Sequence, residues 1–154
     1  MSQPEKPTTI TAAALIAKRI LENGTKTLFA LAGATYAPLL MAFEDGGGKV
    51  IGGRHESGTV GAADGYARRT GKIGFACIIA EQALANALTA ILTASHAGTP
   101  IVVIATRYPD SWIEPSVALA IDRHDFTSSL KFSRTVPSPA RIDEYFQAAC
   151  KAAM

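Results

Sequence analysis

Residues 73–80 read Ile-Gly-Phe-Ala-Cys-Ile-Ile-Ala, a run that offers water no polar side chain on either face. A strand with one solvated face alternates apolar and polar residues, so a continuous apolar strand must be covered on both sides. The same pattern recurs in "TLFALAG" (27–33), more weakly in "KVIGGR" (49–54), and again in "TPIVVIAT" (99–106). Between these runs lie helical segments. "TAAALIAKRILENG" from Thr11 places Leu15, Ile16, Ile20 and Leu21 on one face and ends at Gly24, a glycine stop. A short helix is expected over Ala37–Phe43, "ESGTVGAADGYARRTG" reads as a helix ending at Gly71, and "LANALTAILTASHAG" as one stopped by Gly98. "RIDEYFQAACKAAM" closes the chain as a helix with Ile142, Tyr145, Phe146 and Ala149 on one side.

Strict alternation of buried strands and helices predicts an α/β fold, an open and mainly parallel sheet with helices on both faces and right-handed crossovers. Residues 107–139 mix prolines, charges and broken periodicity and are read as loop with a short helix and strand. Residues 1–10 are expected to form a leader and 11–154 a single domain.

Composition removes several function classes. The 15 Lys and Arg against 13 Asp and Glu leave a formal charge of +2. These charges are spread along the chain, so the electrostatic footprint of a nucleic-acid binder is missing. No apolar run has the length of a membrane span, and the opening Met1–Pro7 lacks a signal-peptide core. Cys77 and Cys150 form neither a disulfide framework nor a metal-ligand spacing and read as small buried thiols of a reducing compartment. A cytoplasmic protein is expected.

Ligands of open parallel sheets bind beyond the carboxyl ends of the strands. That rule nominates three loops, "LAGAT", "GRHES" and "AEQALAN". The second carries Arg54, His55 and Glu56 and opens a helix in which Gly58, Gly61, Ala62 and Gly65 share one face. Each interior glycine costs a helix about 1 kcal/mol relative to alanine. Either another backbone approaches that face closely, as at a subunit contact, or the helix is merely tolerated. Position alone does not distinguish a functional Glu56 from a solvated one.

The combination of residues does. "RHESGTVGAADGYARRTGKIGFACII" resembles the central motif of the pyrimidine-binding domain of thiamine diphosphate enzymes, in the branch of acetolactate synthase, pyruvate decarboxylase and benzaldehyde lyase. "TAAALIAKRILENGTKTLFALAG" is similar to that family's first helix and strand, and "LANALTAILTASHAGTPIVVIAT" to its third helix and fourth strand. The resemblance implies that Glu56 meets N1′ of the aminopyrimidine and shares a proton with it, favouring the tautomer whose amino nitrogen removes the thiazolium C2 proton. Burial favours the neutral carboxyl and a helix N-terminus the charged one, and at Glu56 the two oppose. The resemblance further implies that Ala32, Gly33, Ile79, Ala80 and Asn86 line the aminopyrimidine. His55 and Gln82 would lie toward the substrate, with His55 and Arg54 orienting the turn or pairing with carboxylates. The Gly58/Gly61/Gly65 helix would pack on a partner subunit in a homo- or hetero-oligomer.

Several positions depart from the family. Ala32-Gly33 stands where many relatives carry Pro-Gly, and Ala80-Glu81-Gln82-Ala83-Leu84-Ala85-Asn86 replaces Ser-Gly-Pro-Gly with its following asparagine. "ALAIDRHDF" matches no substrate-side pair of the family, leaving His124 a surface residue. The family holds the diphosphate and Mg²⁺ in a second domain through Gly-Asp-Gly and a downstream asparagine, hard oxygen ligands suited to that ion. No Gly-Asp-Gly occurs here. The chain is therefore expected to hold the aminopyrimidine alone, with no metal ligand of its own, while a diphosphate-binding domain or subunit supplies Mg²⁺. The chemistry implied is decarboxylation of 2-oxo acids or carboligation, of lyase or transferase type. A non-catalytic interaction or regulatory module derived from the same domain stands as the alternative. An unrelated nucleotide-binding domain is disfavoured, since no strand is followed by a glycine-rich phosphate fingerprint.

Overall fold

The alternation within the apolar strands divides the molecule into two cores. In the computed structural model, which describes residues 9–80, 82–106 and 127–154, strands β1 (Thr27–Ala30), β2 (Lys49–Gly52), β3 (Gly74–Ile79) and β4 (Ile101–Thr106) form one parallel sheet in the order β2-β1-β3-β4. Successive side chains of a strand point to opposite faces. Leu28, Ala30, Phe75 and Cys77 accordingly join one core, and Phe29, Ala76 and Ile78 the other. Helices α1 (Ala12–Glu22), α2 (Ala37–Asp45) and α5 (Ile142–Ala153) contribute to the first core, while α3 (Glu56–Thr70) and α4 (Gln82–His96) build the second. The expected fold class is the one observed. Central β3 is buried from Gly74 to Ile78, whereas edge strand β2 is exposed at both ends.

Element boundaries follow hydrogen bonding more than hydropathy. The run after Thr27 leaves the sheet at Ala30 instead of continuing to Gly33, and a short 3₁₀ turn, Ala34–Tyr36, leads into α2. Gly24, Gly71 and Gly98, expected as helix stops, all adopt positive φ, where only glycine is unstrained. On α1 the fully covered residues are Ala17 and Ile20, with Ile16 and Leu21 packed partly against the core. On α5 the buried stripe is Ile142, Phe146 and Cys150. Phe146 stacks on Phe75 with ring centroids 5.7 Å apart. Tyr145, expected on that stripe, instead lies 4.9 Å from the Arg141 guanidinium, a cation–π contact that favours the rim over the core. Arg19 binds both Asp143 carboxylate oxygens and so ties α1 to α5. Both cysteines are buried and free. No helix among the described residues is long and apolar enough to cross a membrane. The short helix and strand expected within 107–139 fall largely outside the described residues, and 131–137 form neither.

The closest backbone approach lies where the sequence gives no local sign of it. A Cβ on Gly74 would stand 2.1 Å from the Ala63 carbonyl oxygen, so α3 sits directly on the first residue of β3. By contrast, Gly58, Gly61 and Gly65 have nothing within 4 Å of a Cβ, and their face of α3 is exposed. Gly74→Ala should therefore cost about 2–3 kcal/mol of stability through overpacking. Gly61→Ala should instead gain up to about 1 kcal/mol by helix propensity. Urea unfolding of both variants measures the contrast, and equal effects would contradict this packing.

Candidate functional site

β1 sits between β2 and β3, so the chain leaves β1 toward one side and returns on the other. Loops diverge at such a switch point and leave a crevice above the carboxyl ends of the strands. Here the switch point lies at the ends of β1 and β3. The Leu31 N–H reaches the Cys77 carbonyl at 3.3 Å, and the Gly53 N–H reaches the Ala30 carbonyl at 2.8 Å. On the far side the Thr35 and Thr106 hydroxyls meet at 2.7 Å.

Glu56 is the first residue of α3, and its position is set by its neighbours. His55 is the N-cap, with extended backbone, and its Nδ1 accepts from the Ser57 N–H at 3.2 Å. A ring nitrogen that accepts is unprotonated, so the proton of the neutral ring lies on Nε2. That atom stands 4.0 Å from Glu56 Oε2. The His55 carbonyl accepts from both the N–H and the hydroxyl of Thr59, each at 2.9 Å. Across the crevice, Asn86 on α4 donates through Nδ2 to Glu56 Oε2 at 3.2 Å, while its carbonyl accepts from the Ser57 hydroxyl. Two helix starts are thereby locked together. The Glu56 side chain is only 13% exposed, and its Oε1 has no hydrogen-bond partner among the described residues.

The structure thus gathers Glu56, His55 and Asn86 into one cluster, and brings Ile79 against Gly33, where a Cβ would lie 3.0 Å from Ile79 Cδ1. Ala80 is wholly buried, and its N–H is engaged by the Thr106 carbonyl at 2.6 Å, so it presents no free donor. Ala32 and Gln82 are exposed on the flanking turns and make no hydrogen bond to the cluster among the described residues. His124 and Glu81 lie outside the described residues. Arg54 is exposed. Ser57 and Tyr36 are members of the rim that the sequence reading did not single out. Burial, then the charges of Cys77 and Glu56, push the Tyr36 phenol up to about 12, and burial alone raises the Cys77 thiol to about 12. Neither group ionises near neutral pH, which leaves Glu56 as the carboxyl of the rim among the described residues.

An open parallel sheet with a shielded carboxyl at its switch point is the arrangement of an α/β domain whose strand ends can receive a ligand. Comparison with known proteins agrees. The family described as thiamine pyrophosphate enzyme, N-terminal TPP binding domain, matches residues 10–133. An acetolactate synthase large subunit from Parasynechococcus marenigrum is 35% identical over 141 residues, 88% of this chain and 23% of that protein. The 2-hydroxyacyl-CoA lyase 2 of Danio rerio is 36% identical and that of Homo sapiens 37% identical, each over 89 residues, 58% of this chain and 14% of theirs. This chain belongs to that thiamine pyrophosphate enzyme family, as an N-terminal domain, and spans less than a quarter of the length of these relatives.

The geometry of the turn before α3 is testable without ligand. A Cβ on Gly53 would lie 1.9 Å from Thr59 Oγ1, the hydroxyl that holds the His55 carbonyl. Gly53→Ala should break that bond and lower stability by about 1–3 kcal/mol. Its amide spectrum should show shifts concentrated at His55–Thr59 and Asn86, and shifts absent from Asn86 would refute the lock between the two helices.

Proposed function

We propose that this chain is the pyrimidine-binding half of a thiamine diphosphate-dependent enzyme that makes or breaks a carbon–carbon bond beside a carbonyl, as in 2-oxo acid decarboxylation or carboligation. The observation that carries this reading is the Glu56 carboxyl. It is largely withdrawn from water, oriented by Asn86 through one oxygen, and left with its other oxygen free at the strand ends. The residues present fit the cofactor's aminopyrimidine. Among the described residues, Gly33 and Ile79 form a close-packed apolar floor at the rim that carries Glu56, and Tyr36 contributes a buried hydroxyl without a partner. Membership of the family and relatives named for 2-hydroxyacyl-CoA lyase and acetolactate synthase support the same chemistry.

When bound, thiamine diphosphate supplies the nucleophile and electron sink for such reactions. In this reading Glu56 shares a proton with N1′ of the pyrimidine, and Asn86 keeps the carboxyl turned toward it. The Gly33 turn, Ile79 and the buried Ala80 methyl exclude water from the acid, strengthening its interaction with the ring. Ala32 flanks the ring, while His55 and Gln82 face the substrate side, where their exposure leaves them free to meet a carboxylate or carbonyl. Diphosphate and Mg²⁺ are held by another domain or subunit, consistent with relatives several times longer than this chain. The exposed Gly58/Gly61/Gly65 face of α3 is the surface on which a partner subunit packs.

Glu56→Gln keeps shape and removes the acid. In the intact protein it should lower turnover by about 10²–10⁴-fold with little change in melting temperature. Unchanged turnover would overturn the assignment and favour a non-catalytic module. Mg²⁺-dependent thiamine diphosphate binding by this chain alone, as tight as in the intact protein, would overturn the half-site reading. Gly61→Leu should leave the isolated domain folded but shift the intact protein toward smaller species in analytical ultracentrifugation. An unaltered distribution would remove α3 from the interface.

A further inference from the structure

Among the described residues one buried side-chain polar atom lacks a hydrogen-bond partner, the hydroxyl of Tyr36. The residue is 2% exposed and lies in the 3₁₀ turn that follows β1. A Cβ on Gly33 would stand 3.0 Å from Tyr36 Cε1 and 3.1 Å from Cζ, so the hydroxyl-bearing end of the ring is tucked beneath the Gly33 turn, with Ile79 Cδ1 closing on the same point. Burying a hydroxyl without a partner is unfavourable, and the few that occur in native structures call for an explanation. Phenylalanine would fill the same core volume without that cost.

A second unpaired group lies on the same rim. Glu56 Oε1 accepts no hydrogen bond from a described residue and stands open to water, whereas the Tyr36 hydroxyl is a buried donor without an acceptor among those residues. The two groups feel one another, since the Glu56 charge is among the causes that keep the phenol protonated. Asn86 and His55 both address Oε2 and leave Oε1 to be held from elsewhere.

We propose that Tyr36 is a positioning residue for Glu56: once ligand covers the rim and strips water from the carboxyl, the Tyr36 hydroxyl donates to it, directly or through one trapped water. The pair then fixes the carboxyl from below while Asn86 fixes it from α4, and a hydrogen bond in that dry site is stronger than one in water. This inference rests on the reading of Glu56 as the group that meets the aminopyrimidine.

The test is a double-mutant cycle on cofactor affinity, read from intrinsic fluorescence during titration of the intact protein with thiamine diphosphate and Mg²⁺. Tyr36→Phe should leave the ligand-free melting temperature equal or higher and weaken affinity about ten-fold. Glu56→Ala, which removes the acceptor, should weaken it as well, and the double variant should bind no worse than Glu56→Ala alone. A purely structural role for Tyr36 would lower the melting temperature and leave affinity alone. Unchanged affinity in Tyr36→Phe, or losses that multiply in the double variant, would overturn the proposal. A ring-fluorinated tyrosine at position 36, nearly the same size but a stronger donor, should tighten binding, and weaker binding would count against it. If Glu56→Gln alone changes neither affinity nor turnover, the failure is that of the Glu56 assignment and takes the pairing with it.

Discussion

Helix α3 is fixed at its middle and at its N-terminus, and these two attachments govern where the acid stands. At its middle, the Ala63 carbonyl rests where a side chain on Gly74 would be, so the helix lies closer to β3 than any other residue there would allow. Beside that contact Asp64 is held by Arg68 and Thr99. Burial favours its protonated form, yet those hydrogen bonds and the Arg68 charge outweigh it, and Asp64 titrates below its ordinary range. At its N-terminus, Thr59 closes on the His55 carbonyl and Ser57 on the Asn86 carbonyl. The acid is therefore carried by a rigid rod seated on the central strand. Sites built on such elements hold geometry better than sites on loops.

The strand order supplies the place for that acid. β3 is covered by both cores, and protection declines toward the edge strands β2 and β4. The switch point lies next to β3, where apolar packing is densest and water is least available. A carboxyl delivered there is largely shielded by the described residues, its side chain 13% exposed. The same arrangement accounts for the spare hydrogen-bonding groups. Asn86 reaches only one carboxyl oxygen, and Tyr36, packed under the Gly33 turn, reaches none.

Much of this was legible in the chain. The uninterrupted apolar run of β3 requires two covered faces, and period-two alternation assigns Phe75 and Cys77 to one core and Ala76 and Ile78 to the other. Gly24, Gly71 and Gly98 announced helix ends because positive φ is a local property that glycine satisfies cheaply. The triplet Arg54-His55-Glu56 marked the rim because strand ends carry chemistry in this fold. Less legible were the limits of β1, which hydrogen bonds to its neighbours decide, and the inner face of α5, where Cys150 took the place expected of Tyr145 once Arg141 offered the aromatic ring a cation.

Sequence by itself determined the elements, their order, the parallel sheet and the family, since each depends on local periodicity or on a contiguous motif. Tertiary structure alone decided that Gly74, and not the stripe at Gly58, Gly61 and Gly65, receives the closest backbone. It alone joined Ser57 to Asn86, 29 residues apart, and set the Tyr36 hydroxyl beneath Gly33 with no partner among the described residues. Those facts depend on distances between elements that pack only after the sheet has formed, and no local pattern of side chains encodes such a distance.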